Sequence, residues 1–464
     1  MSNYRSKNNP GYLKILFVGL LIFITAGVAS AQQKVTQLTL QNALKYALEA
    51  NQQARKARLD IENADYKINE VKSRALPQVN GSASLTHNPV QQLTPLPNIF
   101  GPSPNPNETI LVTFGQKWNA NTGLSLTQNL FDKSVFTGLS AAKTSREFYQ
   151  LNAQLTDEQV IEQVATNYYQ ILVQRQQLAV IDSSISNTQR LKNVLQGLFD
   201  NGLAKKIDVD RVTVAKSNLQ NQRQQLLNAV SLLENQLKFY MGMEINTPVE
   251  IPSADLTSIT PKLVLPGEQI DVTGRTEYLL LKKQEDLLKL QKEAYISEYY
   301  PSLSLSSSYS FQGTGNKFPL FKGQSSGVNW FDAASVSLNL RIPLFNGFAT
   351  KNRVKQADVS IRKVNEDIAN TNLALNLAFE NAKTQINNSV ITLNNSKDNE
   401  RLAEEVFNNT QNNYNNGLAT LTDLLDAERS LTEARNNHAA ALLNYRVAEI
   451  QLVKSQGQLK SLLN

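Results

Sequence analysis

The chain has 464 residues, of which 41% are hydrophobic and 19% charged, with no cysteine and two histidines. Without cysteine it forms neither disulfides nor thiolate metal sites, and two histidines far apart do not suggest zinc or general-base chemistry. The formal net charge is +6, and about +3 once the three basic residues of segment 1–31 are set aside. We therefore expect no cofactor, no metal site and no nucleic-acid partner.

Residues 1–31 have the organisation of a secretory signal peptide. A basic segment ends at Lys14, an apolar run spans 15–24, and Ala-Ser-Ala at 29–31 precedes Gln32. The alternative is a retained membrane anchor, which needs roughly 18 apolar residues, more than this run provides. We expect the mature chain to be exported, and any insertion into a membrane to use strands.

After this leader, the chain is a tandem duplication of one unit. Asn-Gly-Leu-Ala occurs at 201–204 and again at 416–419, and Leu-Phe-Asp at 130–132 corresponds to Leu-Phe-Asn at 344–346. Between the copies, prolines forbid a continuous helix. The predicted domains are a signal peptide at 1–31, a first repeat at 32–244, a Pro-rich linker at 245–267 and a second repeat at 268–464.

Each repeat is predicted to run from a helix through two strands into a pair of long helices. The leading helices, at 38–75 and 269–299, are charged and nearly free of Gly and Pro. Apolar residues alternate with small polar ones along the strands, which predicts one apolar and one hydrophilic face. Segments rich in Pro, Gly and Asn join the strands, at 88–117 and 312–332. The long helices are predicted at 135–199, 208–241, 348–414 and 422–463.

Four strands per chain leave two architectures open. The smallest transmembrane barrels have about eight strands, and lipid does not tolerate an open sheet edge. Either the sheet is soluble and helices cover its apolar face, or several chains share one barrel. Helices of about 100 Å cannot fold over a sheet roughly 20 Å wide, so a shared barrel fits better.

Several features together resemble the TolC-like outer-membrane efflux proteins of Gram-negative bacteria: the leader, the duplicated unit, the tips 199–204 and 414–419, and the run 422–427. The resemblance covers essentially the whole mature chain. It implies an α+β membrane protein, in which a homotrimer builds one 12-stranded outer-membrane β-barrel from four strands per chain. A long periplasmic α-helical barrel of coiled-coil-like helices continues it.

The resemblance implies the outer-membrane channel of a tripartite efflux or type I secretion system, not an enzyme. Its partners would be outer-membrane lipid, a periplasmic adaptor protein and an inner-membrane transporter. Drug, metal-ion and protein export ducts share this body, so the substrate is not predicted. An exported structural coiled-coil protein and a periplasmic scaffold without a pore are the alternatives that the residues leave open.

The resemblance also places a pore gate at the helix tips. Asp423 and Asp426 match two family aspartates that ring the closed opening. Threefold symmetry would gather three copies of each at the axis, where the ring would favour cations. Alternatively, each aspartate is only a favourable negative charge near a helix N-terminus.

A second part of the implied gate is a latch. Asp208 and Tyr414 match a family pair that hydrogen-bonds across the closed tip and parts on opening. Alternatively, Asp208 caps a helix and Tyr414 only packs its ring. Many members have arginine where this chain has Ala419, so the companion salt bridge is absent unless Lys205 or Lys206 replaces it.

The adaptor contact is implied at the two Asn-Gly-Leu-Ala tips, through Gly202, Leu203, Ala204, Gly417, Leu418 and Ala419. The leucines would offer apolar knobs beside a tight glycine turn. Alternatively, the glycines are ordinary helix caps and the leucines pack inward. Near the strand starts, Trp118 and Trp330 belong either to an interfacial aromatic girdle or to a core.

Overall fold

The computed structural model describes residues 36–99, 103, 105–252 and 269–463. The predicted signal peptide and residues 253–267 of the predicted linker lie outside the described residues. The elements are, in chain order, β1 (Thr36–Gln37), α1 (Leu40–Ala50), α2 (Gln52–Ser73), β2 (Gln78–His87), β3 (Leu93–Asn98), β4 (Asn105–Thr113), β5 (Trp118–Phe131), α3 (Lys133–Asp200), α4 (Lys206–Met241), β6 (Val249–Glu250), α5 (Thr276–Ser297), β7 (Ser302–Gly315), β8 (Val328–Arg341), α6 (Ala349–Asn415) and α7 (Leu421–Ser455).

Four helices form a long body. α3 has 68 residues and α6 has 67, which is about 100 Å each at a rise of 1.5 Å per residue. α4 and α7 fold back along them as two antiparallel helical hairpins, and the hairpins join through α3 and α7. None of the described helices carries an apolar stretch of the length that crossing a bilayer requires.

The largest buried cluster is centred on the middle of α3 and also contains residues of α1, α4, α6 and α7. Burying such a side chain stabilises the fold by about 1.5–3 kcal/mol. Towards the C-terminal end of α3 the described residues form two smaller clusters, which agrees with the narrow apolar seams of these polar helices. The fully buried members of the large cluster include Leu44, Ile161, Val164, Ile171, Leu237, Met241 and Ile450.

The prediction of one helix at 38–75 is wrong in one respect, because the chain leaves the helix at Asn51 and forms two helices there. There the backbone leaves the helical region, with ψ at 131°. The Asn51 side chain accepts hydrogen bonds from the N–H groups of Gln53 (2.8 Å) and Ala54 (3.2 Å), and it donates to the Tyr240 carbonyl at 2.7 Å. The asparagine thus caps α2 and ties the break to the end of α4.

The segment predicted as a loop at 88–117 contains a hairpin. β3 and β4 pair in antiparallel register from Leu93 opposite Thr113 to Asn98 opposite Asn105. Pro95 and Pro97 argued against a strand, but proline is compatible with a two-stranded ribbon whose outer edge needs no donor. The final helix is also shorter than predicted, since it ends at Ser455 and a separate turn covers 459–463.

The four remaining strands form one antiparallel sheet in the order β2-β5-β7-β8. The register brings the apolar residues of all four strands onto one face, since Val79 lies opposite Leu126, and Leu305 opposite Leu338. The other face is lined by Ser, Thr, Asn and Gln, and cross-strand hydrogen bonds such as that between the hydroxyls of Ser308 and Ser335 (2.8 Å) occur there.

Neither face of this sheet is covered. From residue 331 to residue 341 every side chain of β8 is exposed, whichever face it lies on. On the apolar face, Val336 is 75% exposed and Leu338 is 64% exposed. The alternative of a soluble sheet covered by helices therefore does not describe this chain. Within the described residues, the outer edges of β2 and β8 have no further strand partner.

Candidate functional site

The two Asn-Gly-Leu-Ala tips fold identically. At the end of α3, the Leu203 N–H donates to the Leu198 carbonyl at 2.8 Å, and Gly202 has φ of +75°. At the end of α6, the Leu418 N–H donates to the Asn413 carbonyl at 2.8 Å, and Gly417 has φ of +73°. Both are Schellman turns, in which a left-handed glycine closes the helix.

The leucines of these turns point outward. Leu203 is 76% exposed and Leu418 is 78% exposed, so the alternative that they pack inward does not hold in this chain. Ala204 packs against the small cluster below the turn, whereas Ala419 is half-buried. Each tip thus presents one bare apolar side chain on a rigid, hydrogen-bonded turn.

Tyr414 joins the two helical hairpins below the tips. Its ring packs against a cluster that includes Leu195 of α3 and Val212 of α4, and against a second one that includes Phe407 of α6. Burial raises the pKa of the phenol above 10, and the negative charge of Asp208 adds to the effect. The structure therefore brings Tyr414 and Asp208 into one neighbourhood.

The contact of Tyr414 with Asp208 is electrostatic, without a hydrogen bond among the described residues. The Asp208 carboxylate lies 3.9 Å from the Arg211 guanidinium one turn along α4. In this chain Tyr414 therefore contacts both hairpins through ring packing. Lys205 and Lys206 are exposed, and neither forms an ion pair with a described residue.

Asp423 and Asp426 lie at the exposed start of α7. The Asp423 carboxylate accepts hydrogen bonds from the backbone N–H (2.8 Å) and the hydroxyl (2.7 Å) of Thr420, which completes a capping box. These two bonds lower the pKa of Asp423 below its ordinary value. Asp426 lies 3.4 Å from Arg429, and both side chains are largely exposed.

One residue of this region escaped the sequence reasoning. Glu428 is 8% exposed and lies between Leu424 and Leu431 on the buried face of α7. The helical spacing of these three residues could have revealed it, because an acidic residue at a seam position is unusual. Among the described residues, no group of three His, Asp or Glu side chains is suited to a metal.

Aromatic side chains gather at both ends of the sheet. Trp118 stacks on His87 with ring centroids 4.2 Å apart, and Trp330 stacks on Phe311 at 4.8 Å. At the helix end, the Lys133 ammonium lies 3.7 Å from the centroid of the Tyr300 ring. Aromatic bands that bracket an apolar face are typical of strands in a membrane wall.

Comparison with known proteins identifies the family. A model of the outer membrane efflux protein family matches residues 43–242 and 291–458, well over half of the chain. The chain therefore belongs to the outer membrane efflux protein family, a family of channel proteins and not of enzymes. It is an exit channel located in the outer membrane, with its long helices in the periplasm.

Relatives and solved structures agree with this assignment. Outer membrane protein TolC of Salmonella enteritidis is 23% identical over 369 residues, which is 76% of this chain and 69% of that protein. The structure of VceC from Vibrio cholerae has a TM-score of 0.69 at 16% identity and covers 90% of this chain and 96% of its own. That of CmeC from Campylobacter jejuni has a TM-score of 0.69 at 15% identity, with 93% and 91% covered.

Proposed function

We propose that three copies of the chain share one 12-stranded barrel and act as the exit duct of a tripartite efflux or type I secretion system. The observation that carries the proposal is a sheet with a bare apolar face and two free edges. In the order β2-β5-β7-β8 the outer strands run in opposite directions. Placing β8 of one copy beside β2 of the next therefore gives another antiparallel pair, and lipid requires that closure.

The helical body would continue the barrel as a periplasmic tunnel that meets a periplasmic adaptor and, through it, an inner-membrane transporter. The adaptor would contact the tips at Leu203 and Leu418, whose exposure leaves apolar surface to be buried. The proposed domain division, with repeats at 32–244 and 268–464, supplies one such tip per repeat. Substrate selection would rest mainly with the transporter.

The gate would lie just below these tips. Asp423 and Asp426, both exposed at the start of α7, would gather in a threefold ring that favours cations. Tyr414 and Asp208 would hold the hairpins in the closed arrangement, with the ring contact as the main restraint. Opening then requires α7 to move relative to α3.

The test begins with detergent extraction from membranes and a mass measurement of the purified species. We expect the mass of three chains, and stepwise ion conductance after insertion into a planar lipid bilayer. Recovery of a stable monomer without detergent would instead support a periplasmic scaffold or a structural coiled-coil protein. The bare apolar face favours the duct over both, because neither alternative explains why that face has no cover.

A further inference from the structure

The contact between the two helical hairpins contains a buried carboxyl group that has no charged partner. Glu428 of α7 faces α3, where Thr188 is 1% exposed. The Oε1 atom of Glu428 is buried and lacks a hydrogen-bond partner among the described residues. One turn along, the hydroxyls of Ser184 and Thr432 lie 2.8 Å apart and link α3 to α7. We call the contacts of residues 184 and 188 with residues 428 and 432 the hairpin seam.

The hydrogen bonds of the hairpin seam suit a neutral carboxyl. The Thr188 hydroxyl has a single hydrogen, for which the Ser184 carbonyl at 2.8 Å competes with the Glu428 carboxyl. A protonated Glu428 could donate to the Thr188 oxygen, whereas an ionised one would have only that shared hydrogen and no cation. A buried carboxylate without such partners is costly.

No cation approaches Glu428 from the elements packed around it. A groove of about 440 Å³ lies beside it, and its lining residues on α4 are uncharged: Ala215, Asn218, Leu219 and Gln222. The charged residues of this groove all belong to α7, namely Asp426, Arg429 and Glu433, and Arg429 pairs with Asp426. From α6, Phe407, Ala403 and Tyr414 pack in the apolar cluster next to the hairpin seam, and burial raises the pKa of the Tyr414 phenol.

We propose that the hairpin seam is a proton-sensitive contact, which holds α7 against α3 while Glu428 is neutral and loosens when this carboxyl ionises. Asp423 would not provide this response, because the two hydrogen bonds from Thr420 lower the pKa of its exposed carboxyl, which moves its titration away from neutral pH. The inference extends the proposed function, since it states what regulates the movement of α7 that opens the gate. The movement itself can be measured without any channel.

The direction of the effect follows from the burial of Glu428. Desolvation raises its pKa to about 7 in the joined seam, and only the contact with Thr188 opposes it. In a parted, hydrated seam the ordinary value of 4.5 applies. The seam is therefore most stable below pH 4.5, weakens between pH 4.5 and 7, and changes little above. Each pH unit between the two pKa values is a factor of ten, so the ratio of joined to parted seams falls by up to about two orders of magnitude.

The experiment uses the full-length protein, which has no native cysteine. Ser183→Cys on α3 and Ser430→Cys on α7 replace two exposed serines and carry nitroxide spin labels. Labelled protein is mixed with an excess of unlabelled protein in detergent, so that dipolar broadening reports the distance within one chain. We expect this broadening to decrease as pH rises from 4 to 8. An infrared band of a protonated carboxylic acid should disappear over the same range.

The variants decide whether Glu428 is responsible. Glu428→Gln should stay joined at every pH and lack the titrating infrared band, whereas Glu433→Gln, an exposed glutamate in the same groove, should behave like the parent. Broadening that is constant with pH in the parent, or that titrates equally in Glu428→Gln, would overturn the inference. Conductance of the same samples separates this inference from the proposed function. A pH-insensitive seam with normal channels rejects the inference and keeps the proposed duct. A pH-sensitive seam without channels rejects the proposed duct and keeps the inference.

Discussion

Replacing Tyr414 by Phe and by Ala separates ring packing from a hydroxyl latch. In the structure the ring joins the two hairpins through two apolar clusters, while the hydroxyl makes no hydrogen bond with Asp208. Phe keeps the ring and removes only the hydroxyl. We therefore expect Tyr414→Phe to leave the closed tip nearly as stable as the parent, and Tyr414→Ala to weaken it strongly.

The magnitude follows from the burial of the ring. Removing a fully buried aromatic side chain costs about 3–5 kcal/mol. Tyr414 is half-buried, so truncation to Ala should cost about 2 kcal/mol, which is roughly a 30-fold change in the ratio of closed to open tips. Loss of a hydroxyl without a partner should change that ratio by about twofold at most.

Single-channel recording in a planar bilayer measures this ratio as the open probability. We expect Tyr414→Ala to open far more often than the parent, and Tyr414→Phe to differ little from it. A thermal melt of each variant checks that the assembled body remains folded. If Tyr414→Phe opened the channel as much as Tyr414→Ala, ring packing would not be the restraint, and a hydroxyl latch formed between or within chains would replace it.

Three further predictions concern the sheet, the tip and the cap. Leu338→Arg on the apolar face should reduce assembly in the outer membrane, since arginine costs roughly 2–4 kcal/mol at the bilayer midplane; immunoblots of membrane fractions measure this assembly. Ser337→Arg on the polar face should instead assemble and shift ion selectivity, which bilayer recordings measure. Leu418→Ser should leave the melting temperature unchanged and weaken adaptor crosslinking about tenfold, while Leu232→Ser, an equally exposed leucine away from the tips, should do neither. Asp423→Asn should lower thermal stability at neutral pH but not in strong acid. The hydrogen bonds that lower the pKa of Asp423 stabilise the fold at pH values above 3.8, its ordinary pKa, and this stabilisation is lost as the pH falls through the pKa of Asp423 in the folded chain.

Most of the fold follows from local patterns in the sequence. Period-two alternation placed the four sheet strands, and the two Asn-Gly turns placed the ends of α3 and α6, since a left-handed glycine terminates a helix whatever packs around it. The break at Asn51 was not predictable in this way, because it depends on a hydrogen bond to Tyr240, distant in sequence. The β3–β4 hairpin was missed because the prolines within its strands fit only an edge position.

The residues of the candidate site were harder to predict from the sequence than the fold. The residues of the gate and the adaptor contact came from a family resemblance, and their roles stay proposals. What the structure adds is physical detail: outward leucines at both tips, an aspartate engaged in a capping box, and a tyrosine that packs between hairpins. The buried state of Glu428 depends on the packing of α3 against α7, which a single helical pattern indicates only weakly.

The two unequal borders of the four-stranded sheet have a genetic consequence. In the proposed ring of three copies, the β8 edge of one chain pairs with the β2 edge of the next, so one defective edge leaves the whole ring open. In a ring of three drawn from equal amounts of normal and defective subunits, roughly one assembly in eight would contain normal subunits alone. An allele whose product cannot pair at one of the two outer strands should therefore be dominant over the wild type.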